Sequence, residues 1–478
     1  MARQGLVEGT TYLLIAQIAF ILSGYLIHIG LGRYLGPADY GIYSVIIYIA
    51  TVFNLFLTTG LPTAASKYIS EHEEQLGEVM RTSLSISLIL SVAISSMLFF
   101  EADVMAKALN DLSLTPFIRL VSMMMPGYAL FMMIRGYYNG VRNYKMQAAL
   151  MLLYDIFKPV MIFSFVLMGL SAWGAVLGFV LAPLFPLAAG IYLMDFRAFR
   201  GKAFPLKKIL DFAVPIIIFS VTINLIMSLD LFFVKRVLME NEIVGFYSAA
   251  SMIAKVPYTL MGAVTLALFP AVSASIGRPE KIREYISESL RYTLYFIVPV
   301  TFMVAASSGS LVSLIYSESY RPAGEALMVL IIGASIFAVF SLLTTIISGS
   351  GRPLVAMLFS IVILAMDVIL NQLMVPVWGM TGAAGATSVS SALGLVLAAG
   401  YVYRRHESLT SAASVAKILL ASLLLYVAIS FADLEGASLL LGYAAAGMLY
   451  MAILFMMGEV KQRDVERLRR LLRHRPPA

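Results

Sequence analysis

Residues 376–385 read PVWGMTGAAG, and residues 171–180 read SAWGAVLGFV. Trp378 and Trp173 are the only two tryptophans of this 478-residue chain, and they lie 205 positions apart. Each is followed by glycine and then by small residues that open an apolar run. Other phrases return at nearly the same offset. YGIYS at 40–44 comes back as VGFYS at 244–248, Arg33 as Arg236, Pro62 as Pro270, and NGVRNYKMQA at 139–148 as SGSGRPLVAM at 348–357. Five echoes in one order at an almost constant spacing indicate an internal duplication.

The duplicated material is membrane-spanning. The chain is 60% hydrophobic and 13% charged, too apolar for a soluble protein of this length. Its apolar residues fall in blocks of about 20, the length that crosses a bilayer core as helix. SLSISLILSVAISSMLFF and LMVLIIGASIFAVFSLLTTIISG are two of them. The pattern predicts an all-α integral membrane fold with fourteen spans, at roughly 10–31, 41–65, 82–100, 117–138, 144–168, 173–194, 210–234, 243–268, 291–306, 323–348, 354–375, 379–402, 413–431 and 437–457. The first block has full span length behind a polar start, so no cleavable signal is expected. With no cysteine, disulfides, thiol catalysis and Cys-ligated metals drop out.

The repeat offset covers six spans, an even number, so the two halves share one orientation. A parallel repeat of this kind has its pseudo-two-fold axis along the membrane normal, the geometry that transporters use for alternating access. The expected organisation is a first lobe at 1–200, a second at 201–405, two added spans at 406–460 and a basic cytoplasmic tail at 461–478. In that tail Val465, Leu468 and Leu472 have the spacing of an interfacial helix. With the N-terminus inside, 26 of the 34 Lys and Arg residues fall on inner segments and six on outer ones. That asymmetry predicts cytoplasmic termini. It also assigns the net charge of +7 to topology and anionic lipid, not to nucleic acid.

With the spans in place, several phrases resemble one family. GRYLGPADYGIYS (32–44) looks like the loop between the first two helices of polysaccharide transporter flippases. YYNGVRNYKMQA and IISGSGRPLVAM look like its paired turns after helices 4 and 10, and WGAVLG and WGMTGAAGAT like its turns before helices 6 and 12. The resemblance spans about residues 5–460 and marks the multidrug/oligosaccharidyl-lipid/polysaccharide exporter superfamily. It implies a plasma-membrane flippase of a bacterium or archaeon. The implied activity is translocation of a lipid-(di)phosphate-linked oligosaccharide from the cytoplasmic to the outer leaflet, by a monomer with no cofactor beyond a coupling Na+ or H+. The alternative is a cation-coupled exporter of small molecules in the same superfamily. An enzyme such as a glycosyltransferase or ligase is not expected, because no large outer loop or acidic loop motif is present.

Charges inside a bilayer cost at least about 2.5–3.5 kcal/mol, so each needs a partner or a duty. Lys255 lies about 12 residues, or about 18 Å, into span 8. In the resembled family that helix lines the central cavity, which makes Lys255 a candidate to hold a substrate phosphate; a lysine snorkelling or paired within the lobe is the other reading. Arg33 and Arg236 are candidates for a cationic rim, or plain interfacial anchors, and Arg135 for a guard or an anchor near the inner end of span 4. Asp155 and Lys158 have i,i+3 spacing, which predicts a self-neutralising structural ion pair. Asp367 has no base at i±3 or i±4, and Asp230 has none within reach on span 7. With Asn371 and Thr387 they supply hard oxygen donors for a monovalent cation. Lipid II flippases, distant relatives, have a sodium site between helices 7, 11 and 12; here the alternative is two protonated or hydrogen-bonded structural aspartates. His28, alone on span 1, reads as a packed polar residue.

Overall fold

Eleven helical stretches of the computed structural model are long and apolar enough to cross a bilayer. The structure describes residues 6–194, 202–432 and 434–459, and the predicted tail helix with Val465, Leu468 and Leu472 lies outside them. Three stretches, Glu8–Glu71, Tyr144–Tyr192 and Pro353–His406, contain 64, 49 and 54 residues. At 1.5 Å per residue each is about two and a half to three times the hydrocarbon thickness, enough for two spans. Each breaks where the backbone turns left-handed: at Gly36 (φ 76°), at Gly169 (φ 87°) with Ser171 (φ 46°), and at Gly379 (φ 58°). Two spans per stretch bring the count to the fourteen read from the sequence. No strand occurs among the described residues, as expected where lipid offers the backbone no hydrogen-bond partner. The outward faces carry large apolar side chains such as Ile89, Leu441 and Phe455.

The echoed turns are local chemistry repeated. After span 4, Arg142 is left-handed (φ 59°); its N–H donates to the Asn139 carbonyl and that of Asn143 to Tyr138. After span 10, Gly351 is left-handed (φ 86°), and its N–H and that of Arg352 bond to Ser348 and Ile347 in the same pattern. Both close the helix with paired end-of-helix hydrogen bonds. The next span then starts from the Asn143 side chain, which accepts from the Met146 N–H at 3.1 Å, or from Pro353 in the first turn.

By packing, the chain divides into two compact units, Met1–Ala249 and Ala250–Ala478. In the first, the core gathers Leu61, Ile69, Met80, Phe131, Tyr138, Leu150 and Ile209, with the span at Leu112–Gly140 56% buried along its central window. In the second, Ala323–Gly349 is 72% buried, whereas the other stretches reach only 17 to 39%. The two enveloped helices are spans 4 and 10, equivalents under the repeat. Spans 13 and 14 pack against span 9 through Ile418, Leu425, Tyr450 and Leu454 on Tyr295 and Val298.

The register of the repeat differs from that suggested by the tryptophans. Ser171 (φ 46°, ψ −134°) and Gly379 (φ 58°, ψ −136°) make the same turn, 208 positions apart. A Cβ on Gly174 would press on Leu170 Cβ, and one on Gly382 on Trp378 Cβ. Trp378 is therefore the equivalent of Leu170. Trp173 instead stacks on Phe117 at 4.3 Å between centroids. The two Trp-Gly phrases mark the right turn, three residues out of register.

The YGIYS and VGFYS echo is also a contact. Within the first unit, a Cβ on Gly41 would collide with the Asn241 carbonyl, and a Cβ on Gly245 with the Pro37 carbonyl. Pro37 and Asn241 share the offset of 204 that relates Gly41 to Gly245. Each glycine thus packs on the residue equivalent to its partner's neighbour, a self-complementary arrangement about a local two-fold.

Candidate functional site

In the first unit, Arg33 and Arg236 are both exposed, each three residues before a left-handed residue, Gly36 or Met239. Neighbouring Lys235 is fully buried. Its ammonium donates to Asp111 Oδ2 at 2.6 Å, to the Met239 carbonyl at 3.2 Å and to Asn241 Oδ1. Asn110 donates to the Arg236 carbonyl at 2.7 Å, so the loop before span 4 is tied to the turn between spans 7 and 8. Burial pushes the Asp111 carboxyl up, but hydrogen bonds from Lys235 and Ser113 outweigh it and hold it below the usual carboxylate value. The sequence gives no periodic cue for a pair 124 residues apart.

Asp155 and Lys158 are both buried and close enough to attract one another, but no direct ion-pair contact within 4.0 Å joins them. Lys158 Nζ lies over the rings of Phe20 and Tyr154, at 5.3 and 5.2 Å, and Asp155 Oδ1 has no hydrogen-bond partner among the described residues. Helical neighbours share a face, but here aromatic rings take up the cation. Arg135 reaches the Met132 sulfur at 3.1 Å through Nη1, and its Nε is buried without a partner. His28 bonds Tyr40 at 3.0 Å.

Span 7 is two helices, Leu206–Ile226 and Leu229–Leu238. Asp230 sits in the first turn of the second piece, where a carboxylate meets the positive end of the helix dipole. It is buried; Oδ2 accepts from the Tyr247 hydroxyl and Oδ1 from the Leu231 N–H at 2.8 Å. Tyr247 belongs to the VGFYS echo, the signal that could have identified it.

In the second unit Asp367, Asn371 and Thr387 are all buried, and their polar atoms are engaged within the protein. Thr387 donates to the Ala383 carbonyl of its own helix at 3.3 Å. The donor to Asp367 Oδ1 is Ser390, at 3.0 Å, one turn further along the same face. Asn371 Nδ2 donates to the Asp367 carbonyl at 2.9 Å. Lys255 is half-buried at a break in span 8, between Asn241–Ala254 and Val256–Ser273. Sequence reasoning missed Glu459. It accepts from Ser414 at 2.6 Å and Tyr295 at 3.0 Å and pairs with Arg291 at 3.3 Å and Lys417 at 3.5 Å, joining the ends of spans 9, 13 and 14. Burial raises its carboxyl, but Ser414, Tyr295 and the two cations bring it below the ordinary glutamate value.

The sequence pattern of the polysaccharide biosynthesis proteins matches residues 6–276. The chain is 21% identical over 406 residues to an uncharacterized membrane protein of Methanocaldococcus jannaschii, covering 81% of this chain and 95% of that protein. It is 24% identical over 161 residues to a probable low-salt glycan biosynthesis flippase, Agl15, of Haloferax volcanii, covering 33% and 34%. Among solved structures, the lipid II flippase MurJ in an inward closed conformation superposes with a TM-score of 0.78, at 14% identity over 94% of this chain and 98% of that one. An inward-facing multidrug resistance transporter of the MATE family, of the MOP superfamily, gives 0.67, at 15% identity over 84% and 99%.

Proposed function

The chain belongs to the family of polysaccharide biosynthesis proteins, and on that premise we propose that it flips a lipid-(di)phosphate-linked oligosaccharide from the cytoplasmic to the outer leaflet by alternating access. The observation that carries this reading is a single chain that combines the family's sequence pattern with the fold of a lipid II flippase over 94% of its length. The basic residues favour an anionic carrier. Lys255, at the break in span 8, is the phosphate-binding residue of the proposal, with Arg33 and Arg236 forming the rim by which the head group leaves and Arg135 near its inner approach. Twenty-six of the 34 basic residues fall on one side, which supports a plasma-membrane orientation with both termini cytoplasmic.

Coupling to Na+ or H+ through Asp230, Asp367, Asn371 and Thr387 is the second part of the proposal. The ion drives transport only if its affinity differs between the two facing states.

One experiment tests both parts. The purified protein is placed in liposomes with a fluorescent polyprenyl-diphosphate-linked saccharide, whose outer-leaflet fraction is read with a membrane-impermeant quencher. Wild type should speed its crossing, faster with a sodium gradient or a proton gradient. Lys255→Glu should abolish crossing with an unchanged chromatographic profile. Undiminished crossing in that variant would remove Lys255; no crossing by wild type would sink the reading.

A further inference from the structure

Two cavities within the first unit meet at Arg135. One, about 200 Å³, is lined by Thr58, Thr63, Ser66, Asn139, Gln147 and Arg135. The other, about 160 Å³, is lined by Gln17, Phe20, Tyr128, Tyr154, Asp155 and again Arg135. Each is on the scale of one pyranose ring.

The second cavity holds a donor and an acceptor that nothing satisfies. Arg135 Nε and Asp155 Oδ1 are both buried without a hydrogen-bond partner among the described residues, and no ion pair within 4.0 Å joins the two side chains there. Leaving such groups unmatched costs about 1–3 kcal/mol each, and buried polar groups in folded proteins are overwhelmingly matched. A single partner that meets both groups has to accept and donate at once. A phosphate or carboxylate accepts from Arg135 but is repelled by Asp155. A metal cation suits Asp155 but is repelled by Arg135. A hydroxyl group does both, and a pair of adjacent hydroxyls on one ring can do so at once.

The remaining lining fits a polyhydroxylated ring. Tyr128 and Tyr154, with ring centroids 5.7 Å apart, supply aromatic carbon to the lining. Across Arg135, Ser66 donates to Asn139 Oδ1 at 2.7 Å and Asn139 Nδ2 to Gln147 Oε1 at 3.0 Å, a fixed row of hydroxyl and amide groups. We propose that the paired cavities around Arg135 are a saccharide subsite, in which the hydroxyls of a neutral sugar bridge Arg135 and Asp155. This deepens the flippase reading and rests on it only for the source of the sugar.

Saturation-transfer NMR tests the subsite on the intact protein in lipid nanodiscs free of glycoside detergent. The probes are methyl glucopyranoside, methyl mannopyranoside, glucuronate and inorganic phosphate. At least one neutral glycoside should receive saturation, with no competition from phosphate. Arg135→Gln and Asp155→Asn should each weaken its binding by about tenfold, and Gln147→Leu, in the first cavity, should weaken it as well and serves as the variant should either fail to fold. No transfer to any neutral glycoside would mean that water alone fills the site and would overturn the proposal. So would tighter binding of phosphate or glucuronate that is lost in Arg135→Gln. If a neutral glycoside binds as described while no lipid-linked saccharide is flipped, the subsite stands and the flippase reading falls.

Discussion

Lys235 has no water to fall back on, and its partner Asp111 does. The lysine is fully buried, whereas the Asp111 side chain keeps 16% of its surface exposed. Removing one member of a buried pair costs about 3–5 kcal/mol when the survivor is left charged and dry. Asp111→Ala should therefore lower the thermal unfolding temperature more than Lys235→Met, because only the former strands a buried ammonium. Thermal melts of the two purified variants decide it, and the reverse order would contradict the assignment. The Asp111 carboxyl is held below its ordinary value, so the pair contributes fully at neutral pH. That contribution is lost only as pH falls through the depressed value. Which polar residues are buried was partly legible. Asp367, Asn371 and Thr387 stood out as polar groups in an apolar run, and each is buried, as is Asp230 in the first unit. Their bonding was not legible. Whether Thr387 or Ser390 meets Asp367 depends on a rotation of less than one helical turn, and whether Lys158 meets Asp155 or two rings depends on Phe20, on another span.

The joints between spans are where elements are under strain. Ser171 occupies a backbone conformation that Gly379 and Gly436 (φ 56°, ψ −134°) share. For a residue with a Cβ that conformation costs of order 1–3 kcal/mol, and glycine reaches it freely. Ser171→Gly should leave stability unchanged or raise it by up to about 1 kcal/mol, after the entropy that glycine loses on folding. Gly379→Ser should cost about 1–3 kcal/mol. Melts in one detergent read both, and equal losses would refute the equivalence of the two turns. Fourteen spans were legible because bilayer thickness fixes their length and few charges interrupt them. The break in span 7 was not. Ser228 and Asp230 are a helix-start signal, but they lie inside an apolar run with no glycine or proline to punctuate it.

For the whole molecule, duplication was legible because its turns must keep their chemistry while the lipid-facing residues between them drift. The tryptophans misled by three positions because neither indole makes the turn it adjoins: Trp173 stacks on Phe117, and the turn's backbone conformation falls on Ser171 and Gly379. Spans 4 and 10 as the enveloped helix of each unit follow from no single residue; they emerge from what surrounds them.

The crossed contact of Gly41 on Asn241 and Gly245 on Pro37 is mutual. Mutual contacts of this kind are how two identical molecules close a dimer. Were the two halves separate chains, this patch is where they would meet, and the covalent link makes that meeting an internal contact at high effective concentration. The tether should then be dispensable. A chain severed between Met194 and Lys202, with the two pieces produced together, is expected to copurify as one particle. Gly41→Leu should separate the pieces while costing the unbroken chain only part of its stability, because the covalent link still holds the two halves within reach.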